Sequence, residues 1–99
     1  LKDSKLLEQA GDFSIVLECV ERSLAKEITK SINIPTIGIG ASVNCDGQVL
    51  VTDDLIGLND IKVRFVKQFG NIKKQINKAV LQYKKEVIKS KFPKKKNSY

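Results

Sequence analysis

Residues 13–40 read FSIVLECVERSLAKEITKSINIPTIGIG, and this stretch contains the strand and helix pattern that indicates the fold class. The runs at 13–17 and 34–40 are almost entirely apolar, which is typical of short strands in a parallel sheet that is buried on both faces. Between them, residues 21–32 carry apolar side chains at spacings of three and four, which predicts an amphipathic helix. The order strand, helix, strand predicts a βαβ unit.

A third strand is predicted at residues 48–52, QVLVT, after the loop ASVNCDG. That loop is too short for a crossover helix. If the third strand is parallel to the second, the loop must therefore return along a face of the sheet. At the other end of the chain, Leu6, Leu7 and Ala10 before Gly11 are typical of the last turn of a helix, because glycine accepts the left-handed conformation that ends many helices.

The rest of the chain is predicted to be helical up to a basic tail. Val63, Val66 and Phe69 indicate a short helix that breaks at residues 70–71. A long amphipathic helix follows, with apolar residues close to a 3.6-residue spacing: Ile72, Ile76, Val80, Tyr83 and Val87. We expect one α/β unit in which residues 1–58 form strands and loops, 59–92 form terminal helices and 93–99 form the tail.

The composition excludes several classes of protein and site. The chain has no His, so a Ser-His-Asp or Cys-His mechanism confined to it is excluded. Cys19 and Cys45 form no CxxC pair and lack a His to complete a zinc site, so we expect two free thiols in a reducing cytoplasm. No apolar run approaches the roughly 20 residues of a membrane helix, so we expect no membrane partner.

The charge is divided unevenly along the chain. Residues 1–58 hold 5 Lys/Arg against 9 Asp/Glu, a net of −4, whereas residues 59–99 hold 13 against 2, a net of +11. The basic half is nearly all lysine. Readout of bases favours arginine and aromatic side chains. We therefore favour a solvated lysine face and do not expect a nucleic-acid partner.

The chain also predicts that more protein surrounds it. It contains no Met and begins at Leu1, so we expect it to be a piece of a longer protein. Apolar strands with helices on one side leave sheet edges and one face uncovered, and such edges pair with other protein. A non-catalytic alternative stays open, in which the basic terminal helix is an assembly or binding module for an acidic partner.

Two features of the strand ends allow more than one interpretation. Glu18 closes the first strand, where it could cap the helix at 21–32. It could instead act as a base in a pocket, because a carboxylate that loses hydration becomes more basic. Gly38 and Gly40 could cradle an anion with backbone N–H groups, or could admit a close neighbour. Because position 43 is Val, this run does not match the G-x-G-x-x-G fingerprint of dinucleotide-binding proteins.

The motifs together resemble one enzyme family. IVLECV before a helix, IPTIGIGA, CDGQVLV, a D-x-x-G-L run and a final FPxxxxS-aromatic run follow one another as in the C-terminal part of ketopantoate hydroxymethyltransferases. The resemblance covers essentially the whole chain. It implies about three βα units plus the terminal helices of a (β/α)₈ TIM barrel.

The resemblance also implies an activity. The family hydroxymethylates 3-methyl-2-oxobutanoate to 2-dehydropantoate with 5,10-methylenetetrahydrofolate as co-substrate, in pantothenate biosynthesis. It implies Glu18 as the catalytic base at the C-terminal end of a barrel strand, with Ile39 and Gly40 lining the substrate pocket. The family uses a divalent metal, usually magnesium, whose ligands belong to the missing N-terminal two-thirds. We therefore expect no metal ligand in this chain and no activity from it alone.

The sequence departs from the family pattern at several positions. Glu21 replaces a usual Pro, Ser42 a usual Gly and Asp53 a usual His, while Asn97 and Tyr99 change the tail. As partners we expect either a homo-oligomer or the missing N-terminal part of the barrel. Another ketoacid-enolising barrel of the same superfamily is a third alternative, which CDGQVLV disfavours.

Overall fold

The computed structural model describes all 99 residues and forms a small parallel sheet with helices. Its regular elements, in chain order, are α1 (Lys2–Ala10), β1 (Ile15–Glu18), α2 (Arg22–Ser31), β2 (Thr36–Ile39), β3 (Gly47–Gln48), α3 (Thr52–Leu55), α4 (Ile72–Ile88) and a 3₁₀ turn (Lys95–Asn97).

The three strands are parallel and lie in the order β1, β2, β3. The predicted βαβ unit is therefore confirmed. Ile15 pairs with Thr36 and Glu18 with Ile39, so the C-terminal ends of β1 and β2 are level with each other. The third strand is also parallel, which the sequence pattern left open.

The sheet has one covered face and one uncovered face. Because side chains alternate along a strand, Ile15 and Leu17 point to one face, where they form a core with α2. Thr36 is fully buried on that face, and its hydroxyl oxygen is hydrogen-bonded to the hydroxyl oxygen of Thr29 from α2 at 2.8 Å. Val16 points to the opposite face and is 59% exposed. The chain itself therefore leaves one face of the sheet uncovered, as expected for apolar strands with helices on one side only.

A short loop takes the place of a second crossover helix. Residues 40–46 return along the covered face and bring Cys45 into the core. Gly38 makes this possible, because a Cβ there would lie 3.0 Å from the sulfur of Cys45. Asp46 then anchors the start of β2, since its carboxylate accepts hydrogen bonds from the N–H of Thr36 at 2.8 Å and from its hydroxyl at 3.1 Å.

One predicted element is shorter than expected and another is absent. The third strand was expected at 48–52, but β3 is only Gly47–Gln48 and Thr52 already begins α3. Residues 63–69 contain no helix. Instead, the N–H groups of Phe69 and Gly70 both donate to the carbonyl of Leu55, which ties this segment to α3.

The helices predicted nearest the two ends of the chain, α1 and α4, are confirmed. Gly11 ends α1 with a φ of 98°, as expected of a glycine at this position. Helix α4 has no buried residue, and its apolar side chains are exposed, although the ring of Tyr83 packs edge-on against Phe92. Only 12 of the 99 residues are buried, which is far fewer than a free-standing domain of this length requires. None of the helices combines the length and apolar character that crossing a lipid bilayer would need.

Candidate functional site

Glu18 ends β1 on the uncovered face of the sheet. It is exposed, and its carboxylate takes part in no ion pair or hydrogen bond with another side chain of the chain. The next residue, Cys19, has a φ of 53° and donates its N–H to the carbonyl of Ile39 at 2.9 Å. The backbone therefore turns sharply away from the sheet just after Glu18, which leaves the carboxylate at the C-terminal end of β1.

The N-terminus of α2 is capped by Glu21. Its carboxylate accepts hydrogen bonds from the N–H groups of Ser23 at 2.9 Å and Leu24 at 3.0 Å, and from the hydroxyl of Ser23. The Ser23 hydroxyl, followed by these backbone N–H groups, lowers the pKa of Glu21 below its ordinary value. The capping interpretation of Glu18 is therefore wrong, because another glutamate occupies that position and leaves Glu18 free.

An open groove of about 930 Å³ lies at the C-terminal ends of the strands. It begins at Cys19 and Gly40, the residues that directly follow Glu18 and Ile39. The residues that line it are 19–22 from the turn into α2, 40–43 from the loop after β2, and Gln48, Arg64 and Phe65.

The three residues predicted for the site lie close together. Ile39 is the register partner of Glu18, so both side chains point to the uncovered face at the strand ends. Gly40 lines the groove just beyond. Their roles as base and pocket lining stay predictions.

The two glycines of TIGIG admit close neighbours. Gly40 has a φ of 61°, and a Cβ at this position would lie 2.8 Å from the Cβ of Phe65. Gly38 is buried beneath the returning loop and does not line the groove. The two glycines therefore do not form a joint anion cradle, and close packing accounts for both.

Comparison with known proteins identifies the family. The family model for ketopantoate hydroxymethyltransferase matches residues 1–95. The chain belongs to this family. It is 77% identical over 99 residues to a 3-methyl-2-oxobutanoate hydroxymethyltransferase of Pelagibacter ubique, covering all of this chain and 38% of the relative.

Two further relatives carry the same name. One from Clostridium botulinum is 54% identical over 100 residues, which is all of this chain and 36% of the relative. One from Caulobacter vibrioides is 48% identical over 93 residues, which is 94% of this chain and 34% of the relative. The chain therefore spans little more than a third of the length of these ketopantoate hydroxymethyltransferases.

The residues present do not by themselves fit the magnesium ion that membership of this family implies. No group of three His, Cys, Asp or Glu side chains lies together anywhere in the chain. Asp53 and Asp54 lie in α3. The carbonyl of Val51 accepts the N–H groups of Asp54 and Leu55 and closes a helical turn. Asp54 is buried and already accepts a hydrogen bond from the amide of Asn59 at 3.0 Å.

Sequence reasoning missed Arg22 and Arg64 as groove residues in this family member. They come from distant parts of the chain, and only the fold brings them to one groove. The signal that could have found them is their residue type. They are the only arginines in a chain whose other basic side chains are all lysine.

Proposed function

We propose that the chain is the C-terminal part of a (β/α)₈-barrel ketopantoate hydroxymethyltransferase, with about three βα units and the terminal helices. The uncovered face of the sheet supports this assignment. It presents Val16, Ile37 and Ile39 without any covering layer, as the interior face of an incomplete barrel would.

In this proposal the whole enzyme transfers a one-carbon unit from 5,10-methylenetetrahydrofolate to 3-methyl-2-oxobutanoate. Glu18 removes the proton from C3 of the ketoacid, and the electron pair of that C–H bond forms the enolate. Water cleaves both C–N bonds of the folate methylene, which releases tetrahydrofolate and the one-carbon unit as formaldehyde. The enolate carbon then attacks this carbon, and the carbonyl oxygen of formaldehyde takes up a proton to become the hydroxyl of 2-dehydropantoate. The free Glu18 carboxylate at a strand end is the observation that carries this proposal.

Ile39 and Gly40 contribute the pocket in the same proposal. The side chain of Ile39 stands beside Glu18 and suits the apolar isopropyl group of the ketoacid. Gly40 leaves space at the entrance of the groove. Polar contacts to the ketoacid, and magnesium with its ligands, are assigned to residues outside this chain, so the chain alone is inactive.

We further propose that the apolar stripe of α4 contacts other protein in the assembled enzyme, either the N-terminal part of the barrel or a second subunit. Ile76, Val80 and Val87 on this stripe are all exposed.

The two cysteines are unpaired, which agrees with a reducing cytoplasm.

The test is a grafted enzyme in which this chain replaces the matching 99 residues of the Pelagibacter ubique relative. In that enzyme Glu18→Gln should lower kcat by about 100-fold or more, because a positioned base contributes that much. Glu27→Gln is the matched control, since Glu27 is an exposed carboxylate on α2 away from the groove.

Size-exclusion chromatography of the same variants separates catalysis from assembly. We expect both variants to elute as the unsubstituted enzyme does. Turnover by Glu18→Gln within a few-fold of the control would contradict the catalytic role. It would instead favour the alternative in which this region is only an assembly module.

A further inference from the structure

Arg22 and Arg64 line the same groove although they are 42 positions apart in the sequence. Arg22 opens helix α2 and Arg64 lies in the segment before α4. Neither guanidinium takes part in an ion pair, since the one ion pair of the chain joins Lys73 to Asp60. Neither donates a side-chain hydrogen bond to another residue. Two permanently charged groups are thus available in one groove.

The groove lining carries two positive charges against one negative charge. Glu21 is the one acidic residue of the lining, and its carboxylate already accepts the hydrogen bonds of the helix cap. Apolar atoms of Phe65 and Val43 provide much of the remaining surface. This combination suits a ligand with an aromatic or apolar body and more than one negative charge.

The position of the groove selects the ligand. Its lining begins at Cys19 and Gly40, the residues after Glu18 and Ile39, where the ketoacid would react, and it includes both arginines but neither Glu18 nor Ile39. The ketoacid has a single carboxylate, which is needed close to the reacting carbon. A folate has a p-aminobenzoyl ring and a tail of one or more glutamates, so its carboxylates lie far from the methylene carbon that is transferred.

We propose that Arg22 and Arg64 bind the glutamate carboxylates of the folate co-substrate. The inference rests on the proposed function, because it requires that the methylene carbon of the folate lies near Glu18. A guanidinium binds a carboxylate through two parallel hydrogen bonds, so each arginine can hold one carboxylate of the tail.

The first test measures binding without turnover. The probe is p-aminobenzoyl-triglutamate, which has the folate tail without the pteridine, titrated into the grafted enzyme by calorimetry. Each of Arg22→Gln and Arg64→Gln should weaken binding about threefold, and the double variant about tenfold, as for exposed ion pairs. Lys26→Gln is the matched control, because it removes one positive charge from α2 outside the groove.

The second test uses kinetics. In the double variant, KM for methylenetetrahydrofolate with three glutamates should rise about tenfold, while KM for the ketoacid and kcat stay unchanged. Arg22→Lys and Arg64→Lys keep the charge and should recover part of the affinity. Unchanged probe binding in the double variant, no binding by the unsubstituted enzyme, or a rise in KM for the ketoacid instead would each overturn the inference.

A third measurement distinguishes failure of the catalytic proposal for Glu18 from failure of the folate-tail proposal. It follows exchange of the C3 proton of the ketoacid in deuterated water, without folate. Exchange that depends on Glu18 supports the proposed function whatever the arginines do. Probe binding that depends on the arginines supports the tail site even if exchange is absent.

Discussion

Glu18 and Ile39 are register partners at the level C-terminal ends of two parallel strands, on the face that the chain leaves uncovered. A carboxylate and a branched apolar side chain therefore stand side by side. Once other protein closes this face, the carboxylate would have an apolar neighbour on one side and fewer water molecules around it.

Truncation of Ile39 should weaken binding of the ketoacid more than it slows chemistry. In the grafted enzyme, Ile39→Ala is expected to raise KM for the ketoacid about tenfold, because it removes methyl and methylene contacts from an apolar pocket. Ile37→Ala is the control, since it shortens the same side chain on the same face two residues before the strand end. Steady-state kinetics at saturating folate, with melting temperatures for both variants, make the comparison. An equal rise in KM for both variants would argue against a specific role for Ile39.

The sequence pattern predicted the elements whose evidence is local and periodic. The apolar runs around residues 21–32 were sufficient for β1, α2 and β2, and the 3.6-residue spacing was sufficient for α4. The family motifs placed Glu18, Ile39 and Gly40 together at one edge. All of these depend on residues close in the chain or on strands that directly pair.

Elements decided by tertiary contacts could not be predicted in this way. The run QVLVT is apolar enough for a strand, but Asp54 and Leu55 donate their N–H groups to Val51 and start α3 instead. The apolar spacing of Val63, Val66 and Phe69 resembles a helix, but hydrogen bonds to Leu55 hold this segment in another conformation. The capping role of Glu21 likewise depends on the sharp turn at Cys19, which the pattern does not reveal.

Substitution by alanine should lower the free energy of unfolding more at Gly40 than at Gly11, which also has a positive φ. Gly11→Ala is the reference, because its φ of 98° is strained for alanine but nothing lies within 4 Å of a new Cβ. We expect it to cost about 1 kcal/mol of the free energy of unfolding. Gly40→Ala adds overlap with Phe65 and should cost about 2–4 kcal/mol. Denaturant unfolding of the grafted enzyme measures both.

A double variant identifies the source of the Gly40 effect. Phe65→Gly removes both the Cβ and the Cγ that a Cβ at position 40 would meet at 2.8 Å. Adding Gly40→Ala to Phe65→Gly should then cost no more than Gly11→Ala does. A cost as large as in the presence of Phe65 would mean that the overlap is not the cause.

The cap formed by Glu21 should make stability depend on pH in the acid range. Hydrogen bonds from Ser23 and Leu24 lower the pKa of Glu21 in the folded state, so folding favours its ionised form. The stabilisation is fully present above the ordinary pKa of 4.5 and is lost as the pH falls through the lowered folded value.

Glu21→Gln keeps an acceptor oxygen but removes the charge, so its melting temperature should fall below that of the unsubstituted enzyme at neutral pH. The difference should shrink as the pH is lowered below 4.5. Glu27→Gln, on the same helix but outside the cap, should not reproduce this pH-dependent difference. Thermal unfolding followed by circular dichroism across the acid range checks the prediction. A difference that stays constant with pH would show that the charge of Glu21 does not stabilise the cap.

The purified 99-residue chain should neither turn over nor bind magnesium tightly. Glu18 is a lone carboxylate at the strand edge, no cluster of three potential ligands exists, and only 12 residues are buried. Titration with magnesium chloride in a calorimeter and a product assay by mass spectrometry test the chain alone.

Addition of the remaining N-terminal part of the Pelagibacter ubique relative should restore turnover, because it would cover the second face of the sheet and supply the ligands. The same addition to a chain carrying Glu18→Gln should restore assembly without turnover. Measurable product from the chain alone would contradict the proposal that essential parts of the site lie outside it.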